Sequence, residues 1–407
     1  MDHDELIPHL FRKEYSRIIA VLCRKFGFEH LSLAEDVASE TFLIAAQTWP
    51  MKGIPANPGA WLYTVSTNRF RNELRRKKMF DEKISPQLRA LSEESFDADL
   101  TETSILDSQL QMMFALCHPA LAKEAQVALC LRILCGFGIE EIASAFMSNK
   151  ETISKRLMRA KQRLREQCVS LEMPTGAQLV SRIDSVLSSL YLLFNEGYYS
   201  RHNDAIILSD LCWEAIRLCK TMTEFRDTDV PAPNALLALM CFQASRLDAR
   251  KGTDGQLILL DDQDRSLWNT SLVQQGAYHL FKASTGNTLS EYHLEAAIAY
   301  WTMAPEDNKH KWTIILDLFD KLIGIKPSPV VALNRLYSLS RAKGKQTALK
   351  ELIQSDLPRD FFYHALLADF NDGIDSDRCR ESLHKALKLA STEPERTLIR
   401  KKLAGSN

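Results

Sequence analysis

Two short clusters hold side chains that could do acid–base or metal chemistry. "FNEGYY" brings together Asn195, Glu196, Tyr198 and Tyr199, and "DDQDR" brings together Asp261, Asp262, Gln263, Asp264 and Arg265. Paired carboxylates can exchange a proton or hold a hard cation. Asn195, Glu196, Tyr198, Asp261, Asp264 and Arg265 are therefore the candidate lining of a pocket. The same residues suit inter-helix loops, where polar groups cap helices and Arg265 pairs with a carboxylate. No nucleophile–base motif, phosphate loop or paired histidine accompanies them. None of the nine cysteines forms C-x-x-C or a zinc spacing. The expectation is a non-enzyme with no catalytic residue, no cofactor and no metal.

A second chemistry, the neutralisation of phosphates, is carried by basic helices. In "IEEIASAFMSNKETISKRLMRAKQRLRE", Ile153, Leu157, Ala160 and Leu164 recur at helical spacing and form one apolar stripe. Ile142, Ala143 and Phe146 supply the facing stripe, and Ser148 or Asn149 can cap the second helix. Lys150, Thr152, Ser154, Lys155, Arg156, Arg159 and Arg163 lie off the stripe, and acids are nearly absent after Glu151. A helix whose first turn meets base edges while its flanks meet phosphates has this layout. A solvated charged hairpin shares the pattern but usually mixes signs.

The first eighty residues hold another such segment. "LSLAEDVASETFLIAAQTW" buries Ala34, Val37, Ala38, Thr41, Phe42 and Ala45 on one stripe, and turns Glu35, Asp36 and Glu40 away from it. That acidic face is either ordinary solvated surface or a dock for a basic partner. After Asn57-Pro58, which suits a helix entry, a long helix carries Asn68, Arg69, Arg71, Asn72, Arg75, Arg76 and Lys77. Trp61, Tyr63 and Phe70 beside these bases could stack on unpaired bases. Alternatively they are core, with the basic end favoured by the helix dipole.

These segments sit in a chain of 407 residues, 45% hydrophobic and 25% charged, with net charge −1 and only 15 glycines. Such a composition fits a soluble all-α protein. Helical patterns fill residues 1–80 and 109–170, with an acidic, aperiodic linker at 81–108 between them. "LEMPTGAQ" marks a boundary, and 171–407 reads as helix after helix, broken at "DVPAPN", "KGTDG", "KPSP" and "NDG". "LILL", 257–260, is the one strand candidate. Cys130 and Cys135 in an apolar run read as buried reduced thiols, which suits a reducing cytoplasm. No leader pattern opens the chain, and no apolar run reaches the ~18 residues of a membrane span.

"AEDVASETFLIAAQTW", "AWLYTVSTNRFRNELRRKK" and "EEIASAFMSNKETISKRLMRAKQRLRE", in that order across an acidic linker, resemble a bacterial extracytoplasmic-function sigma factor of the sigma-70 family. The resemblance implies that 1–80 is sigma region 2, binding RNA polymerase core and the −10 promoter element. It implies that 109–170 is region 4, a helix-turn-helix that binds the −35 element. By position it assigns Glu35, Asp36, Glu40 and Phe42 to core binding. Asn68, Arg69, Arg71, Asn72, Arg75, Arg76 and Lys77 fall to −10 DNA, and Lys150, Thr152, Ser154, Lys155, Arg156, Arg159 and Arg163 to −35 DNA. Met147 stands where such turns often have Gly, and Asn72 where an Asp is common.

The tail, with "LYLLFNEGYYS", "LCWEAIRLCK", "LLALMCFQASRLDAR" and "PSPVVALNRLYSLS", is similar to the group of these sigma factors that carries a large helical, tetratricopeptide-like C-terminal extension. In "RCRESLHKALKLAS", Cys379, Leu383 and Ala386 have the spacing of such a repeat's second helix, and 312–344 reads as another helix pair. The implied partners are bacterial RNA polymerase core and promoter DNA, with a regulatory protein or an intramolecular contact through the extension and no membrane. Two other readings stay open. One is a helix-turn-helix regulator that never joins polymerase, and the other a ligand-sensing tail fused to a DNA-binding module.

Overall fold

The computed structural model describes residues 3–84, 101–146, 148–198, 205–250, 258 and 260–405. Among them are eighteen α-helices and no strand, so the fold is all-α. The chain divides into two compact units, Met1–Met222 and Thr223–Asn407.

The first unit holds α1 (His3–Phe26), α2 (Leu31–Lys52), α3 (Pro58–Ile84), α4 (Glu102–Leu116), α5 (Lys123–Leu129), α6 (Ile139–Ala145), α7 (Lys150–Glu166), α8 (Gly176–Tyr198) and α9 (Ala205–Thr223). α1 is its centre and packs against α2, α3 and α4. Ile18, Ile19, Leu22, Trp49, Leu62 and Phe70 are buried in its core. Asn57 caps α3 as expected, its Oδ1 accepting from Ala60 N at 3.0 Å. α5 runs into a π-helical turn, Cys130–Leu134, that ends at Gly136. Gly136 has φ +74°, and a Cβ there would meet the Phe11 ring at 3.2 Å. Only glycine allows that backbone this close to α1.

Both ends of the expected linker are helical. α3 continues to Ile84 and α4 starts at Glu102, where Thr101 caps it by accepting from Ser104 N. The rest of the expected linker, 85–100, lies outside the described residues. The first unit also extends beyond Pro174, because α8 packs on α4 and α5. Residues 171–222, read from sequence as the start of the tail, thus belong to the first unit.

The second unit holds α10 (Pro231–Ala244), α11 (Thr270–Ala283), α12 (Glu291–Met303), α13 (Lys309–Ile325), α14 (Pro329–Lys343), α15 (Lys345–Gln354), α16 (Phe361–Asn371), α17 (Ser376–Leu389) and α18 (Glu393–Gly405). The pairs α10–α11, α13–α14 and α16–α17 make its closest contacts. Gly276 is needed on α11, because a Cβ would fall 2.6 Å from the Phe242 ring. The pair expected in 312–344 forms, with Ser328 capping α14 and Pro329 at its first turn. Cys379, Leu383 and Ala386 are buried together with Phe361, Ala368 and Ile399. "LILL" makes no strand among the described residues; Leu260 opens a 3-10 turn, Leu260–Asp262. "KGTDG" lies outside the described residues.

Candidate nucleic-acid interface

The stripe expected on α7 is the stripe that packs. Ile153, Leu157, Ala160 and Leu164 are buried, and so are Ile142 and Ala143 on α6. Each buried Leu or Ile contributes about 1.5–3 kcal/mol, enough to fix which side of the helix faces out. Asn149 is the cap, its Oδ1 accepting from Thr152 N at 2.7 Å. Met147, in the turn, lies outside the described residues. Lys150, Thr152, Lys155, Arg159 and Arg163 are exposed, and Ser154 and Arg156 are half-buried. Lys150 pairs with Glu140 at 2.6 Å, and the Arg156 guanidinium lies 5.4 Å from the centre of the Phe146 ring. Thr152, Lys155, Arg156 and Arg159 line an open groove of about 510 Å³ together with Ala120, Leu121, Ala122 and Ala125. A groove lined by three cationic side chains suits a phosphate backbone.

On α3, Asn68, Asn72, Arg75, Arg76 and Lys77 are exposed, and Arg69 and Arg71 are half-buried. Arg76 pairs with Glu73 at 2.9 Å. The neighbouring aromatics are core rather than a stacking platform. Phe70 is buried and stacks on Phe26 with ring centres 4.6 Å apart. Tyr63 is buried and donates its hydroxyl to Glu14 at 2.9 Å. Trp61 is half-buried and rests edge-on against Trp49.

The acidic face of α2 is largely occupied from within. Glu40 pairs with Arg69 of α3. Glu35 is only 6% exposed. Its Oε1 accepts from Arg132 Nε, and its Oε2 accepts from Lys161 Nζ at 2.5 Å. Arg132 also donates to the Phe137 carbonyl at 3.1 Å. Burial, together with the Glu35 charge, pushes the nearby Tyr15 hydroxyl up to about 12. Burial and Glu35 also raise the exposed Asp36 carboxyl above its ordinary value. Phe42 is buried and meets Phe11 edge-on at 5.0 Å, so it packs the bundle. Arg132 and Lys161 escaped the sequence reading. The usable signal was Arg132, a lone charge inside "ALCLRILCGF", since a buried charge requires a partner.

α8 and α9 are joined to α4 and α5 by polar contacts. Lys123 Nζ donates to the Ser185 carbonyl at 3.2 Å, Ser189 Oγ donates to Gln126 Oε1 at 2.6 Å, and Ser185 Oγ donates to the Cys117 carbonyl at 2.9 Å. Arg217 of α9 donates to the Leu134 carbonyl at 3.0 Å and pairs with Glu214.

The two candidate pocket clusters fall in different units. Asn195, Glu196 and Tyr198 lie in the last turn of α8 rather than in a loop. Tyr198 is buried and stacks on Phe194, and burial raises the Glu196 carboxyl. Tyr199 lies outside the described residues. Asp264 caps the turn Arg265–Leu267 by accepting from Ser266 N at 2.9 Å. Arg265, expected to pair with a carboxylate, instead lies 5.0 Å from the Trp268 ring centre and donates to the Met303 carbonyl. Asp261 is in the turn Leu260–Asp262, and its side chain lies outside the described residues. Among the described residues no His, Cys, Asp and Glu group could hold a metal, and no helix is long and apolar enough to cross a membrane. All nine cysteines are free thiols, with Cys168 exposed and Cys135 half-buried.

Residues 10–79, from α1 through most of α3, match the family described as Sigma-70 region 2. Over 385 residues the chain is 32% identical to a Rhizobium meliloti (strain 1021) protein described as uncharacterized protein R00370, covering 92% of this chain and 90% of that one. The chain belongs to the family of that protein. Its N-terminal domain is a sigma-70 region 2, which supports a sigma-70 family factor and, in general terms, a role in RNA polymerase binding and promoter recognition. The sigma-70 family is one of non-enzymatic transcription factors. Residues 182–284 match a family of unknown function, DUF6596, which runs from α8 to just past α11. No solved structure matches the chain.

Proposed function

We propose that the chain is an extracytoplasmic-function-type sigma factor that binds RNA polymerase core and starts transcription at −35/−10 promoters. One observation carries this: a sigma-70 region 2 shares a compact unit with a helix pair, α6–α7, in which α7 exposes a basic face and buries its whole apolar stripe. In this reading α6–α7 is the region 4 helix-turn-helix. Thr152, Ser154, Lys155 and Arg159 face the −35 bases, with Lys150, Arg156 and Arg163 on phosphates. Asn68, Arg69, Arg71, Asn72, Arg75, Arg76 and Lys77 engage the −10 element. Asp36 and Glu40, with Glu35, form the core-binding face.

The tetratricopeptide-like C-terminal extension regulates that activity through protein contacts. The support is physical: α8 and α9 are bonded to α4, α5 and the π-helical turn, so a partner that moves them acts directly on the DNA-binding domain. The test is co-purification of the full chain with bacterial core polymerase, followed by measurement of the affinity. A stable stoichiometric complex supports the proposal. The internal pairing of Glu35 and Glu40 favours a second reading, a promoter-binding regulator that acts without joining polymerase. DNA binding without core binding would select it.

A further inference from the structure

We infer that Cys117 and Cys130 are a thiol pair that a peroxide converts to a disulfide, and that this bond weakens −35 DNA binding by reshaping the groove beside α7. The effect on DNA rests on the reading of α7 as the −35 helix; the thiol chemistry does not. Three observations lead there.

First, the two sulfurs touch. Cys117 caps the end of α4, Cys130 opens the π-helical turn, and their buried Sγ atoms lie 3.6 Å apart. A disulfide needs about 2.05 Å, so the sulfurs must close by roughly 1.5 Å. Second, the two thiols are unlike. The contact with Cys130 holds the Cys117 thiol below its ordinary value against the effect of burial, and Ser189, Lys123 and Arg182 add to it. The same contact, and then burial, raises Cys130. Cys117 is therefore the nucleophile, since the thiolate is the reactive form, and Cys130 is the resolving thiol. Third, the residues between them serve the groove. Ala120, Leu121, Ala122 and Ala125 line it together with Lys155 and Arg159. α8 holds the same segment, with Ser185 Oγ donating to the Cys117 carbonyl and Ser189 Oγ to Gln126. Drawing the two ends of the segment together shifts the groove lining relative to α7.

The Cys117 thiolate attacks one oxygen of hydrogen peroxide, the O–O bond breaks, and the leaving hydroxide takes a proton to become water. Cys130 then attacks the sulfenic acid on Cys117: the S–S bond forms, the S–O bond breaks, and the departing hydroxide leaves as water with the Cys130 proton. Two thiols are oxidised and one peroxide is reduced. Burial keeps the pair inert at rest. Entry is by local opening of α5, a seven-residue helix continued by a turn in which Cys135 N donates to the Cys130 carbonyl at 3.1 Å. Short helices are marginal by themselves, and π-helical turns recur at functional sites.

The experiment uses the full chain with Cys168→Ser, which removes the exposed thiol, and the same chain with Cys130→Ser added, each first checked for a cooperative melt. Both are titrated with hydrogen peroxide, and the remaining thiols are alkylated and the peptides mapped by mass. Affinity is measured for a duplex that the reduced chain selects from random DNA, before peroxide, after it, and after dithiothreitol. The expected result is a Cys117–Cys130 linked peptide and about tenfold weaker binding, the scale of losing one good base contact. Dithiothreitol should restore the affinity, which separates the disulfide from methionine oxidation, and the Cys130→Ser chain should keep its affinity in peroxide. No linked peptide, a link to another cysteine, or a Cys117–Cys130 link with unchanged affinity overturns the inference and leaves the sigma reading standing. If the Cys130→Ser chain fails to fold, the linked peptide and its reversal in the Cys168→Ser chain decide alone. A reduced chain that selects no DNA refutes the reading of α7 and the effect on DNA with it.

Discussion

α2 and α7 are both charged helices, yet their charges meet different fates. Two of the three acids of α2 find bases within the chain: Glu35 takes Arg132 and Lys161, and Glu40 takes Arg69, while Asp36 stays exposed. The bases of α7 that lie farthest from its stripe, Lys155 and Arg159, stay exposed. A charged face becomes a partner surface only where the rest of the chain has not already supplied the opposite charge. On α7 the near absence of acids after Glu151 leaves that demand unmet, and a phosphate backbone can meet it.

Substitutions should separate the two helices, and the largest effect falls on packing. Phe42→Ala on α2 removes a buried ring that meets Phe11, and should cost about 3–5 kcal/mol in denaturant unfolding. Unchanged stability with lost polymerase binding would instead return Phe42 to the contact surface. Lys155→Ala or Arg159→Ala on α7 should lose about 1–3 kcal/mol of binding at the cognate −35 sequence while stability changes by less than ~0.5 kcal/mol. Equal weakening on all DNA, with a flatter salt dependence, would mark phosphate contacts instead. Ser189→Ala strips a buried hydrogen bond from Gln126, and should cost about 1–3 kcal/mol, testing whether α8 is integral to the first unit. The smallest effect is expected from Glu40→Gln. Its pair with Arg69 is half-exposed and should be worth about 0–1 kcal/mol, so a large loss of core binding there would come from the interface itself.

The helices were legible because their periodicity is strong. The stripes of α2 and α7 are buried residue for residue, and the caps at Asn57 and Asn149 form as their side chains require. The charge partners were not legible, because Glu35, Arg132 and Lys161 are far apart in sequence and meet only through packing. The same limit hid the attachment of α8: Pro174 and Gly176 look like a boundary, but Ser185 and Ser189 bond back to Cys117 and Gln126. The aromatics near the basic end of α3 were ambiguous by type. Burial decided for core at Tyr63 and Phe70, whose surfaces are worth more in the bundle than in water. In the "DDQDR" cluster Asp264 caps its own turn, whereas Arg265 reaches the distant Met303 carbonyl, a contact that only the fold reveals.

The measurement that bears most directly on the central claim is in vitro transcription with bacterial core polymerase and the full-length chain, on promoters selected from random DNA, with start sites mapped. The account predicts transcripts from a defined position that need both core and chain and that fall when Lys155 or Arg159 is replaced. Tight, specific DNA binding with no core complex and no transcript would contradict it.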